Sequence, residues 1–313
     1  MKLRVKLDRI SLLRDVLNAA MAVRKEAYII FAPTDVRIVS PASNDGTTIS
    51  LFAYFTVDYL CDPNQYVCVS AFDDMCVFLV SLDDFARALK SSSSYHMDEV
   101  RLSLRQYQGL LQLQVRITQH RERGPTVVTH NLPVDPRKLE EESYLLVQPE
   151  IQPQVYIMLP KPTLNIAKLS ERYKRLGKLV TLSANNSGCL KLSLDAVDVN
   201  VETDWKGLMN PQLDAGEQEE EQSLPSQGSG PHSSQIRFSQ NFTGESRAKP
   251  NSSEFATVSI PCKDWCLLTN MALICDSVVL AISHERVLTA YCYTDHPGDT
   301  SGSITYYMSH IEE

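Results

Sequence analysis

The sequence predicts an α+β protein of two topologically similar units, each built of antiparallel strands with helices gathered on one face. Three observations carry this. The order strand, helix, strand over residues 2–31 returns over 155–184. Short runs with a two-residue hydrophobic period, punctuated by Gly, Pro, Asn and Asp, fill most of the rest. Between the halves, residues 135–153 hold Pro136, Pro149, Pro153 and the acidic run Glu140-Glu141-Glu142, with no clean period. That composition reads as an interdomain linker.

In chain order, Lys2 to Leu7 alternates charged and apolar residues and reads as a first strand rather than a signal peptide, so an intracellular chain is expected. Leu12, Leu13, Val16, Leu17, Ala20 and Met21 recur at helical spacing and predict a helix over 10–24. Strands follow at 28–31 and 36–39, closed by Pro33 and Pro41, and then at 48–58, 66–71 and 75–80. Ser81 has the chemistry of an N-cap for a helix over 82–90. Asp83 and Asp84 complement its first turn, and Phe85, Ala86 and Leu89 form its dry side. Strands at 100–105, 111–118 and 126–134 complete the first unit. In the linker, Tyr144 to Val147 is apolar and should lie against something.

The second unit opens with a strand at 155–159 and a helix at 163–176, with Gly177 as its closing residue. Strands follow at 179–184, 189–194 and 197–204. Residues 209–254 contain Glu219-Glu220-Glu221, much Ser, Gln and Gly, and few apolar side chains. They read as a disordered acidic insertion. Regular structure resumes with a strand at 256–260 and a helix from Cys262 to Ile274, dry on Trp265, Leu268 and Ala272. Strands at 277–283, 287–293 and 304–310 end the chain. The predicted units are 1–134 and 154–313.

The chain has 313 residues and a net charge of −8, which argues against a protein that binds DNA over its whole surface. A concentrated basic stripe is therefore informative. At about 100° per residue, Ile166, Leu169, Tyr173 and Leu176 fall on one side of the helix over 163–176. Lys161, Lys168, Arg172 and Arg175 fall together on another side, although an ordinary solvated face would show the same pattern. No apolar run approaches the roughly 18 residues of a spanning helix. The eight cysteines mostly lie inside apolar patterns and are expected reduced and buried. The sequons at Asn185, Asn241 and Asn251 carry no weight without a secretory signal.

Signs of catalysis are weak. Cys262, Cys266, Cys275 and His284 have loose spacing for zinc, and no second paired motif supports them. His130 and Cys189 cannot be joined into a nucleophile–base pair from sequence. The chain contains no phosphate-binding glycine loop. Asp73-Asp74 and Asp83-Asp84 are explained by a turn and a helix start. No cofactor or metal is implied, and an enzyme with a scattered site remains the distant alternative.

Five stretches stand out: Leu82 to Lys90 (LDDFARALK), Val127 to Pro133 (VVTHNLP), Pro136 to Leu139 (PRKL), the segment 155–184, and Thr203 to Pro211 (TDWKGLMNP). Together they resemble the Hus-type subunit of the nine-one-one (9-1-1) DNA-damage checkpoint clamp, a member of the PCNA-like sliding-clamp superfamily. Their order and spacing span nearly the whole chain. The insertion at 209–254 and the linker at 135–153 depart from the pattern. The resemblance implies two DNA-clamp domains, with helices on the channel face and antiparallel sheets outside. It implies a heterotrimer with two Rad-family sister subunits, placed on DNA at damage or stalled forks by a clamp loader. It also implies a nuclear role that signals to a checkpoint kinase and recruits repair enzymes. A homotrimeric replication clamp is the nearer alternative.

A ring around duplex DNA needs cations on its inner helices and no base readout. The candidates are Lys161, Lys168, Arg172 and Arg175, then Arg14, Arg24 and Lys25 on the first helix, Arg87 and Lys90 on the second, and Lys263 on the fourth. The outer wall is expected to be acidic. Subunits should join through edge strands, at Thr126, Val128 and His130 in the first unit and Val197, Val199 and Val201 in the second. Alternatively, Asp198, Glu202 and Asp204 guard that second edge. Ser226, Ser234 and Ser239 each precede Gln, the pattern favoured by checkpoint kinases of the PI3-kinase-like class, and are candidate phosphorylation sites.

Overall fold

The computed structural model describes residues 1–42, 49–71, 73–91, 98–121, 124–137, 147–196, 199–211, 253–295 and 301–312. The first half runs β1 (Lys2–Leu7), α1 (Ile10–Val23), β2 (Glu26–Phe31), β3 (Asp35–Ser40), β4 (Ile49–Thr56), α2 (Val57–Leu60), β5 (Val67–Val69), β6 (Cys76–Ser81), α3 (Leu82–Lys90), β7 (Glu99–Tyr107), β8 (Leu110–Arg121) and β9 (Gly124–Pro136). The second runs β10 (Val155–Met158), α4 (Thr163–Leu176), β11 (Leu179–Ala184), β12 (Leu190–Ala196), β13 (Val199–Trp205), β14 (Ala256–Pro261), α5 (Cys262–Met271), β15 (Ser277–Ser283), β16 (Val287–Tyr293) and β17 (Gly302–Ser309).

The pairing repeats as closely as the order. In the first half β1 pairs β7, β2 pairs β3 and β6, β3 pairs β4, and β8 lies between β7 and β9. In the second, β10 pairs β15, β11 pairs β12 and β14, β12 pairs β13, and β16 lies between β15 and β17. Every one of these ladders is antiparallel. The halves join where β17 runs against β4, Gly302 to Met308 opposite Phe55 to Ile49.

Period decides which side chains enter the core. Leu3, Val5 and Leu7 on β1 are buried, while their alternates Lys2 and Arg4 are exposed. On α1, Leu13, Val16, Leu17 and Ala20 are buried. Covering a Val or Leu of this kind stabilises by about 1.5–3 kcal/mol. α1 packs on α3, α4 packs on α5, and α1 also touches α5 across the junction, so the four longer helices form one layer. The Oγ of Ser81 accepts the Asp84 N–H at 3.4 Å, the cap its sequence predicts.

Local details depart from the expectations or add to them. The strand expected over 48–58 stops at Thr56, and Val57 and Leu60, three residues apart, bury the inner side of α2. The apolar run hid the change of period. Of the apolar run in the linker, Tyr144 to Leu146 lie outside the described residues and Val147 is 59% exposed, while Ile151 packs against the cluster of Tyr28, Ile30, Val39, Phe52, Val77 and Tyr307. Of the expected insertion, residues 212–252 lie outside the described residues, and its opening ones are tied down: Met209 O accepts the Met158 N–H at 2.9 Å, and Asn210 Nδ2 donates to Tyr156 O at 2.7 Å. Asn185 is buried, and its Oδ1 accepts the N–H groups of Ser187 and Cys189, so it shapes a turn.

Candidate nucleic-acid interface and subunit edges

α4 carries the basic stripe, and its burial differs in one respect from the wheel. Ile166, Ala167, Ser170 and Tyr173 are buried, whereas Leu176 is 45% exposed and Leu169 half-buried. The buried arc is centred near Ser170, whose hydroxyl donates to Ile166 O at 2.8 Å and so enters the core satisfied. Leu176 lies about 120° round the helix from Ser170. Lys168, Arg172 and Arg175 lie roughly opposite the buried arc, and all three are exposed, as is Lys161 just before the helix.

Gly177 ends α4 with φ −153°, an extended rather than left-handed conformation, and its N–H donates to Tyr173 O at 3.0 Å. A Cβ there would lie 2.9 Å from Leu194 Cδ1, so any larger residue would have to displace that side chain. The Tyr173 hydroxyl, which a purely apolar reading missed, pairs with Thr203 Oγ1 at 2.8 Å and donates to Leu192 O at 3.4 Å. It ties α4 to β12 and β13. A groove of about 290 Å³ between α4 and β13 is lined by Lys168 and Arg172 on one wall and Trp205 on the other.

Net charge separates α4 from the other helices. α4 holds Lys168, Arg172, Lys174 and Arg175 against Glu171 alone. On α3, Asp83 and Asp84 balance Arg87 and Lys90, and Arg87 is ion-paired to both carboxylates. On α1, Arg14 is half-buried and 3.9 Å from Asp15. Arg24, at the end of α1, reaches Pro41 O at 3.5 Å. Lys25, Lys90 and Lys263 are exposed. Lys168, Arg172 and Arg175 on α4, with Lys161 just before it, are exposed cations with no ion-pair partner among the described residues.

The two expected edges are open among the described residues. β9 is paired to β8 along Gly124–Pro133 and meets β6 only through Val134–Pro136. Thr126, Val128 and His130 lie in the open part. β13 pairs only β12 and ends its four-stranded sheet. Val199 is exposed and Val201 half-buried, while Val197 lies outside the described residues, as do Asp198, Ser226, Ser234 and Ser239. Lys191 on β12 is 3.0 Å from Glu202 and 3.9 Å from Asp204. Glu202 first, then Asp204, raises the Lys191 pKa, and Lys191 lowers that of Glu202. Both carboxylates therefore lean back into their own sheet.

A family model for Hus1-like protein matches residues 1–312. The chain belongs to the Hus1-like family. Checkpoint protein hus1 of Schizosaccharomyces pombe is 30% identical over 250 residues, which span 78% of each chain. The crystal structure of proliferating cellular nuclear antigen from Entamoeba histolytica matches with a TM-score of 0.65 over 99% of both chains at 12% identity, a likeness of fold. This Hus1-like chain is thus a checkpoint-clamp homologue with the PCNA-like clamp fold, a subunit that works with sister clamp subunits. Its family is known as non-catalytic. Burial pushes the Cys262 and Cys266 thiols up to about 11, and among the described residues no group of three or more His, Cys, Asp or Glu could hold a metal ion.

Proposed function

We propose that this chain closes a heterotrimeric ring with two Rad-family sister subunits, and that a clamp loader places the ring on DNA at damage or stalled forks in the nucleus. The loaded ring then activates the checkpoint kinase and recruits repair enzymes. Two clamp domains, 1–134 and 154–313, joined by the linker 135–153, each supply one side of the joints. Duplex DNA passes the helix layer, held without base readout by Lys161, Lys168, Arg172 and Arg175. Lys25, Lys90 and Lys263 add weaker contacts. Ser226, Ser234 and Ser239 are proposed targets of the kinase.

One observation carries the ring: the chain already contains the joint it would make with its neighbours. β17 pairs β4 inside the chain. By the duplication, the counterpart of β17 in the first half is β9, open on one side along Gly124–Pro133 among the described residues, and the counterpart of β4 in the second is β13, which ends its sheet. A head-to-tail interface of this kind generates a ring when its rotation closes. The test is size-exclusion chromatography of the full chain alone and with two candidate sister subunits. A complex containing the three different chains in equal amount is expected. A stable trimer of this chain alone would replace this reading with a replication-type clamp.

A further inference from the structure

The sheet face turned away from the core on β1, β7 and β8 is not the acidic wall that the composition suggests. Period-two alternation puts Leu3, Val5, Val100, Leu102, Leu113 and Val115 inward. It puts Arg4, Lys6, Arg101, Arg105 and Arg116 outward, around a concavity of about 400 Å³. Register makes the crowding specific. Lys6 lies directly opposite Arg101, and Arg101 directly opposite Arg116. Like charges directly opposite on neighbouring strands are destabilising, so three cations in one cross-strand row work against the fold.

Two of the five have internal partners: Lys6 is 3.4 Å from Asp62, and Arg101 is 2.7 Å from Glu99. Arg4, Arg105 and Arg116 are exposed and have no carboxylate partner among the described residues. Between them, Ser103 and Gln114 face each other across β7 and β8 and offer hydrogen-bonding groups on the floor. The patch spans about 10 Å across the strands and about 13 Å along them. Three free guanidinium groups in that area suit one or two phosphate groups, whose three acceptor oxygens match the arginine fork. They fall short of the roughly 6–10 phosphate contacts of a typical duplex binder. Pairing at the β9 edge extends the sheet in its own plane and leaves this face open.

We propose that this outward face docks a phosphorylated acidic segment of a partner protein, with Arg4, Arg105 and Arg116 as the phosphate-binding groups. The test uses the full chain with its sister subunits, and fluorescence anisotropy of a labelled Glu-Glu-pSer-Glu-Glu-pSer-Glu peptide, its unphosphorylated form, and a short duplex DNA. The phosphopeptide should bind at least tenfold more tightly than the unphosphorylated form. Arg4→Gln with Arg116→Gln should weaken it by at least tenfold, while Lys168→Gln with Arg172→Gln on α4 leaves it unchanged. Arg116→Gln alone should keep or raise the thermal midpoint, because it relieves the row. Equal binding of both peptides, duplex binding lost through the same outward substitutions, or a lowered midpoint for Arg116→Gln would each overturn the proposal.

Discussion

Neutralising the α4 stripe gives the most quantitative test of the channel. Consider Lys161→Gln, Lys168→Gln, Arg172→Gln and Arg175→Gln together. The four side chains are exposed and unpaired among the described residues, so the change removes charge and little packing. If each cation sits on one phosphate, counterion release contributes about 0.9 to the slope of log K against log salt. The four together flatten that slope by about 3.6, which is roughly 150-fold of salt sensitivity between about 50 and 200 mM. At about 100 mM the same term sets a ceiling of between three and four decades on the loss of affinity. The sister subunits contribute their own cations, so the difference between two slopes, rather than either slope, measures this chain's share. Arg175 also sits in the last turn of α4, where a cation favours the helix dipole by about 0.3–1 kcal/mol. Any fall in stability should stay near that value. The assay is anisotropy of a labelled duplex with the assembled ring across the salt range, beside size-exclusion of the same complex. An unchanged slope, or loss of assembly by a folded variant, would refute the assignment.

Arg87→Gln on α3 should leave the salt slope nearly unchanged, because Asp83 and Asp84 already hold that guanidinium; a fall approaching 0.9 would show that the pairs open on DNA. Gly177→Ala should cost about 1–3 kcal/mol in urea unfolding through overpacking against Leu194, and Leu194→Ala in the same chain should remove the clash. Tyr173→Phe leaves Thr203 without its partner and should cost about 1 kcal/mol, with faster amide exchange on β13 than elsewhere in that sheet.

The sequence made the order of elements legible because strands and helices write different periods, and Ser81 announced its helix through cap chemistry. It misled where one residue type serves two purposes. Ser170 reads as polar on a wheel, yet its hydroxyl is satisfied by the preceding turn and it lies at the centre of the buried arc of α4. Gly177 closes α4 as the sequence suggests, yet its backbone is extended and what crowds the place of a Cβ is the side chain of Leu194, which the local sequence does not show. The cation stripe on α4 was visible because its members are near in sequence. The row Lys6, Arg101 and Arg116 was not, because only strand register makes those residues neighbours.

The open edges raise a last question, whether they are blunted or built to pair. Glu202 and Asp204 are engaged by Lys191 within their own sheet, which argues against charge guarding at β13. On β9, Pro125 and Pro133 bracket Thr126 to Leu132, and proline cannot donate to a neighbouring strand. That window is seven residues long, as is β13, and the in-chain joint of β17 with β4 also spans seven pairs. The prolines therefore delimit the joint rather than abolish it. Strand N–H groups point alternately to the two sides, so of Val128→Pro and Thr129→Pro one removes a bond to β8 and the other a donor on the open side. One variant should lose stability. The other should melt near the parent temperature yet fail to enter the ring on size-exclusion. Normal assembly by that second variant would mean that β9 is a capped edge, and the joint would have to be sought elsewhere.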